Sequence, residues 1–319
     1  MPDQTQAVPG DAVVRSWVER APAAWRSYFR LARLDRPIGT WLLYWPCVFG
    51  LAVGAGVDHR GFLSKGQDWL LLVLFAIGSV AMRGAGCTYN DIVDRHIDAR
   101  VARTRGRPIP SGAVTVAQAW KFAGAQCGIG LLILLYLNWY SVALGGLSLV
   151  LIALYPFMKR ITWWPQAWLG LTFNWGALLG FAALTGRSLD IDLVLYGGCF
   201  FWTLGYDTIY ALQDVEDDAL AGIKSTARLF GSQARTWIFL FYVLALGLLA
   251  AAAGFAFHAT AAVFMLPAGL HFLWQVRRID PEASESSLRI FRSNRDAGAL
   301  IAFGLIVGSW IPPVLSAAP

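Results

Sequence analysis

Asn90, Asp91, Asp94 and Asp98 close one apolar run of the chain, and Asp214, Glu216, Asp217 and Asp218 close another much further along. Carboxylates are costly beside lipid, and where they persist there they mark a functional site. Acids packed so densely repel one another unless cations sit among them. The repeated donors are oxygens and the four histidines are scattered, which suits a hard ion, most simply Mg²⁺ bridging to a phosphate-bearing substrate. On a helix, Asn90, Asp94 and Asp98 are spaced by four and line one stripe, with Asp91 beside it. Arg83 lies two turns earlier on the same face, deeper in the apolar run. In the second cluster Asp214 and Asp218 are four apart, and Tyr210 and Asp207 continue that face backwards. Two such faces opposed across a bundle can hold metal ions that neutralise charge developing on a departing diphosphate. Arg95, Arg103, Arg105, Arg107, Lys159, Arg160 and Lys224 lie on loops beside the acids. Arg can clamp a diphosphate bidentately there, and Lys can act as a point charge. One acid run at the end of a span reads equally well as a solvated face. Two runs, each following a face with its own intramembrane charge (Arg83, Asp207), read as a site.

The elements that carry these residues are membrane spans. Of the 319 residues 57% are hydrophobic and only 14% charged, against about 25% charged in soluble domains, and the mean hydropathy is +0.52. Apolar windows long enough to cross a bilayer recur at 38–56, 69–89, 117–137, 139–157, 166–184, 193–213, 237–255, 259–276 and 297–314. The expected fold is therefore all-α, a polytopic membrane protein of about nine transmembrane helices. The third and fourth spans nearly touch at Asn138. Thr115 and Gln118 have capping-box spacing and restart helix after a loop stiffened by Pro108 and Pro110. Basic residues gather in the N-terminal arm and in the loops after spans two, four, six and eight, leaving only Arg60, Lys65 and Arg187 for the other side. The positive-inside rule then puts the acid clusters in the cytoplasm and the C-terminus outside. The net charge of +6 needs no nucleic acid, since topology and anionic lipid account for it. Residues 1–35 read as a cytoplasmic arm: Val14, Trp17, Val18, Ala21, Trp25 and Phe29 recur at near-helical spacing between arginines, as in an interfacial amphipathic helix. Residues 36–319 then form a single transmembrane domain. Asp3, Asp11 and Glu19 are unusual for a mitochondrial presequence, so the expected location is a bacterial inner membrane, with the mitochondrial inner membrane as the weaker reading. Cys47, Cys87, Cys127 and Cys199 sit inside spans without CxxC spacing and read as small buried hydrophobes.

The run from Gly86 to Asp98 resembles the NDxxDxxxD motif of the UbiA superfamily of intramembrane prenyltransferases, and Asp214–Asp218 resembles its DxxxD motif. The strings at 33–40, 103–112, 155–160, 206–211, 214–218 and 222–227 are similar to the 4-hydroxybenzoate polyprenyltransferase branch. The resemblance runs from about residue 30 to the end, and it implies nine helices around a central cavity. It implies transfer of a polyprenyl group from polyprenyl diphosphate to the ring of 4-hydroxybenzoate, ortho to the hydroxyl, with Mg²⁺, in ubiquinone biosynthesis. By resemblance Asn90, Asp91, Asp94, Asp214 and Asp218 hold the Mg²⁺–diphosphate complex, with Asp98 and Asp217 peripheral. Arg95, Arg160 and Lys224 assist diphosphate binding and departure. Arg83 or Arg36 pairs with the aromatic carboxylate, and Asp207 polarises the phenol. The menaquinone, haem and chlorophyll branches of the family are the near alternatives. A cation-coupled secondary transporter is the alternative from another class, but it favours charged or broken segments near the midplane, whereas these acids gather at span ends.

Overall fold

The computed structural model describes residues 16–100, 104–220, 222–280 and 284–311. Asp3, Asp11, Val14 and Arg15 of the arm, Arg103 of the loop and the side chain of Asp217 lie outside that description. Among the described residues all regular structure is helical: α1 (Ala23–Leu31), α2 (Ile38–Val57), α3 (Gly66–Asp98), α4 (Val116–Tyr136), α5 (Trp139–Ile161), α6 (Pro165–Phe173) and α7 (Trp175–Thr185) come first. They are followed by α8 (Asp190–Leu212), α9 (Val215–Leu220), α10 (Thr226–Phe230), α11 (Ala234–Ala256), α12 (Leu266–Arg278), α13 (Ser284–Arg292) and α14 (Asn294–Trp310). Among the described residues seven stretches are long and apolar enough to cross a membrane, with α6–α7 and α10–α11 each taken as one and the 3₁₀ turn at Ala259–Met265 taken with α12. The polar and aromatic residues of α8 and the 17-residue length of α14 keep these two outside that group. Counting both gives the nine expected from the apolar windows.

The chain forms two compact units. One joins the described residues up to Thr40 with Ala76–Ile133, and the other joins Trp41–Phe75 with the residues from Leu134 on. In the first unit the arm is not one continuous helix. A 3₁₀ turn at Trp17–Arg20 ends at Ala21, and α1 restarts after Pro22, since proline lacks the donor that would carry a helix through. Leu31 of α1 packs with Ile92, Ile109, Val114 and Ala119, flanked by Tyr28 and Phe122. This cluster holds the arm and the proline-bearing loop on α3. The loop is built from turns: Thr104 Oγ1 donates to the Asp98 carbonyl at 2.9 Å, and the Val114 amide donates to the Pro108 carbonyl at 2.9 Å. The capping box forms, Thr115 N donating to Gln118 Oε1 at 2.9 Å and Gln118 N to Thr115 Oγ1 at 3.2 Å.

In the second unit α8 is the buried helix, with Leu195, Cys199, Trp202, Tyr206 and Ile209 all at 0% exposure. The part of α2 in this unit meets α7 through small residues. A Cβ on Gly176 would touch Cys47 Sγ, and one on Gly50 or Gly180 would run into opposing backbone, so the two helices approach closely, as small residues permit in membrane bundles. Asn138 separates α4 from α5 by capping Ser141 N at 3.0 Å, and its Nδ2 donates to the Ala182 carbonyl at 2.6 Å. The fifth span departs from the expected single helix: it breaks at Asn174, whose buried Nδ2 donates to Thr203 Oγ1 of α8 at 2.6 Å. The same Nδ2 caps the local Gly170 carbonyl at 2.8 Å, so the side chain satisfies the helix end and reaches the neighbouring helix as well.

Candidate active site

In the first unit the acid stripe is carried to its end by one 33-residue helix, α3. Arg83, Asn90, Asp91, Asp94, Arg95 and Asp98 all project from it. The last four turns remain helical because the arm and the loop cover them on one side. Asp91 (0% exposed), Asp94 (1%) and Asp98 (6%) are buried, which is costly for carboxylates unless they are paired. For two of them the partners are arginines from that covering layer. Arg33 Nη2 donates to Asp91 Oδ1 at 2.7 Å, and Arg107 Nη1 bridges Asp91 Oδ1 at 3.2 Å and Asp98 Oδ2 at 2.8 Å. Arg33 reaches Asp91 from a left-handed backbone with φ of 58°, a conformation that costs a non-glycine residue of order 1–3 kcal/mol and clusters at functional sites. Asp91 Oδ2 is buried and accepts no hydrogen bond. Arg95 turns back to donate to the Ile92 carbonyl at 2.8 Å, and Arg36 pairs with its neighbour Asp35 at 3.0 Å.

The second cluster does not lie on one uninterrupted helix. Asp207 and Tyr210 are on α8, which ends at Leu212; Asp214 sits in the following turn, and Asp218 is on α9. The Asp218 amide still donates to the Asp214 carbonyl at 2.8 Å, so the four-residue step survives where the longer seven-residue one crosses the turn. The Tyr210 ring packs on Phe291 of α13, 4.6 Å between centroids. Two predicted cation loops come together in this unit. The Lys224 amide donates to the Lys159 carbonyl at 3.0 Å, and Lys224 Nζ donates to the Ile161 carbonyl at 3.0 Å, next to Arg160.

Several positioning residues escaped the sequence reading. Arg228 donates to the carbonyls of Asp218 and Ile223 and so ties the acid turn to the Lys224 loop. Thr208 and Thr226 hydroxyls meet at 2.7 Å, and Gln166 Oε1 accepts from Thr226 N at 3.0 Å. Thr208 lies in the 206–211 string and Thr226 in the 222–227 string, so the signal was present as a pattern without a contact attached to it. Arg33 likewise stood in the 33–40 string and was counted only toward topology.

Among the described residues no three of His, Cys, Asp or Glu converge as a ready-made metal cage. Mg²⁺ does not require one, because it is usually held by one or two carboxylates, with water and substrate phosphate completing its shell. The all-oxygen donors and the unsatisfied Asp91 Oδ2 fit such an ion.

The chain has relatives both in sequence and in fold. The model of the UbiA prenyltransferase family matches residues 43–303. A rat protein named "4-hydroxybenzoate polyprenyltransferase, mitochondrial" is 46% identical over 297 residues, covering 92% of this chain and 77% of its own length. An Arabidopsis thaliana protein of the same name is 45% identical over 302 residues, covering 92% and 71%. The apo structure of a UbiA homolog from Aeropyrum pernix K1 superposes with a TM-score of 0.68 at 27% identity, over 84% of this chain and 97% of that one. A homolog from Archaeoglobus fulgidus, solved bound to GPP and Mg²⁺, shares the fold with a TM-score of 0.66 at 19% identity, over 89% and 100%.

The relatives' names correct one expectation. They are mitochondrial, which overturns the bacterial inner membrane and its cytoplasmic assignment. Loop charge orders the sides of a membrane relative to each other but carries nothing about which membrane it is. With a family match across most of its length, the same helical fold and both acid motifs in place, the chain belongs to the UbiA prenyltransferase family.

Proposed function

We propose that the chain transfers a polyprenyl group from polyprenyl diphosphate to the carbon of 4-hydroxybenzoate ortho to the hydroxyl, in ubiquinone biosynthesis in mitochondria. The observation that carries this reading is the identity of 45–46% with proteins of that name over 92% of the chain. Asn90, Asp91 and Asp94 of the first unit and Asp214 and Asp218 of the second are the oxygen donors for Mg²⁺, with Asp98 and Asp217 peripheral. When bound, the ion supplies charge stabilisation to the departing diphosphate. Arg95, Arg160 and Lys224 add positive charge for diphosphate binding. Asp98 works through Arg107, holding the loop on α3.

The allylic C1–O bond breaks, the diphosphate leaves with the electron pair, and the ring carbon bonds to C1. The ring then loses its proton and regains aromaticity. Asp207 accepts from the phenol, which raises electron density at the attacking carbon, and Tyr210 lines the aromatic site beside it. Arg83, with Arg36 as the alternative, pairs with the aromatic carboxylate. A guanidinium within a membrane span is favoured where it meets an anion. The test is direct: purified protein with polyprenyl diphosphate, 4-hydroxybenzoate and Mg²⁺ should give prenylated 4-hydroxybenzoate by mass spectrometry. No product with donors of graded chain length would overturn the reading.

A further inference from the structure

Gly39, buried in the first turn of α2, and Arg83 of α3 lie in the first unit. A Cβ built on Gly39 would lie 2.6 Å from both Cζ and Nη2 of Arg83, and its three nearest atoms all belong to that guanidinium. The guanidinium therefore fills the space that any side chain at position 39 would need. Its seat is also the amino end of a 20-residue helix, where amide N–H groups lack intrahelical acceptors and the dipole is positive. A cation resting against that end repels it, and the two together favour an anion.

We propose that Gly39 is a positioning residue: its missing side chain sets where the Arg83 guanidinium lies, and thereby how the carboxylate of the aromatic acid is recognised. The proposal rests on the reading of Arg83 given above. The clash made by a methyl at position 39 falls on the flexible end of a side chain and not on backbone. Gly39→Ala therefore keeps the helix and moves the guanidinium, which separates positioning from folding.

The experiment compares the full-length protein with Gly39→Ala, Arg83→Met and the double variant, by steady-state kinetics for each substrate and by thermal melting. Gly39→Ala should raise KM for 4-hydroxybenzoate roughly 10–100-fold, the range for losing a charge-assisted hydrogen bond, with KM for polyprenyl diphosphate nearly unchanged. The double variant should be no worse than Arg83→Met alone, because the methyl then has no guanidinium to displace. If Gly39→Ala fails to fold, combining it with Arg83→Ala should restore folding. Equal losses for both substrates, multiplicative losses in the double variant, or no rescue would overturn the proposal. An Arg83→Met variant with unchanged KM for 4-hydroxybenzoate would overturn the reading of Arg83 and this proposal with it. A raised KM in Arg83→Met with none in Gly39→Ala would overturn only the role of Gly39.

Discussion

Arg33→Met should destabilise the protein through Asp91. The Arg33–Asp91 pair is 2.7 Å long between side chains that are 9% and 0% exposed, so water cannot replace the lost partner. A hydrogen bond to a charged group is worth about 1.5–3 kcal/mol. Removing one member of a buried pair outright costs about 3–5 kcal/mol, because the other charge is stranded. Arg107 stays on Asp91 Oδ1 at 3.2 Å, so the carboxylate is not stranded and the lower range applies: about 1.5–3 kcal/mol. Asp91→Asn takes the negative charge away from Arg33, while Arg107 keeps Asp98 Oδ2 at 2.8 Å, so with two charge-assisted bonds weakened and no guanidinium left without an acceptor it costs at least the same, about 1.5–3 kcal/mol. Because the residues share one network, Arg33→Met and Asp91→Asn should not add, and the double variant should cost little more than Asp91→Asn alone. The assay is equilibrium unfolding in mixed detergent micelles, followed by tryptophan fluorescence and checked for reversibility. An Arg33→Met change below about 0.5 kcal/mol, the scale of a surface substitution, would refute the reasoning, as would strict additivity. The same arithmetic makes Asp91 a poor test of chemistry alone, since its loss would unsettle the arm and the loop as well as the motif.

Asp214 tests the second motif. Asp214→Ala should cut turnover by roughly a thousandfold or more, from several kcal/mol of lost stabilisation of the leaving group, in a protein that still folds in membranes; near-normal activity would remove the second motif from the site. Activity should require a divalent ion, be supported by Mg²⁺ and vanish with chelator, and full turnover in excess chelator would show that the acids serve another purpose. Accessibility tags near Arg105, Lys224 and Ser286 should report one side of the membrane and tags near Arg60 and Arg187 the other. Mixed reports from the first three would mean that a span has been miscounted.

Local chemistry was legible in the sequence because it depends on neighbours three or four residues away. The stripe of Asn90, Asp94 and Asp98, the Thr115–Gln118 box and the restart of helix after Asn138 are all of that kind, and the structure forms each of them. Bilayer-length apolar runs likewise declare themselves without tertiary information. The interruptions were harder. Asn174 breaks a span where its side chain caps Gly170 and meets Thr203 of another helix, and α8 stops at Leu212, before the acids that its period seemed to carry. What only the tertiary structure decided is which charges meet. Arg33 and Asp91 are 58 residues apart, and Gly39 and Arg83 belong to different helices. Sequence spacing encodes a residue's own helix face, whereas the partner across that face is fixed by packing between segments that the spacing does not relate. The sequence thus determined that carboxylates close two apolar runs of this membrane protein and that arginines crowd the segments next to them. The fold decided that Asp91 is clamped by two of those arginines, and that a missing side chain at Gly39 makes room for a third.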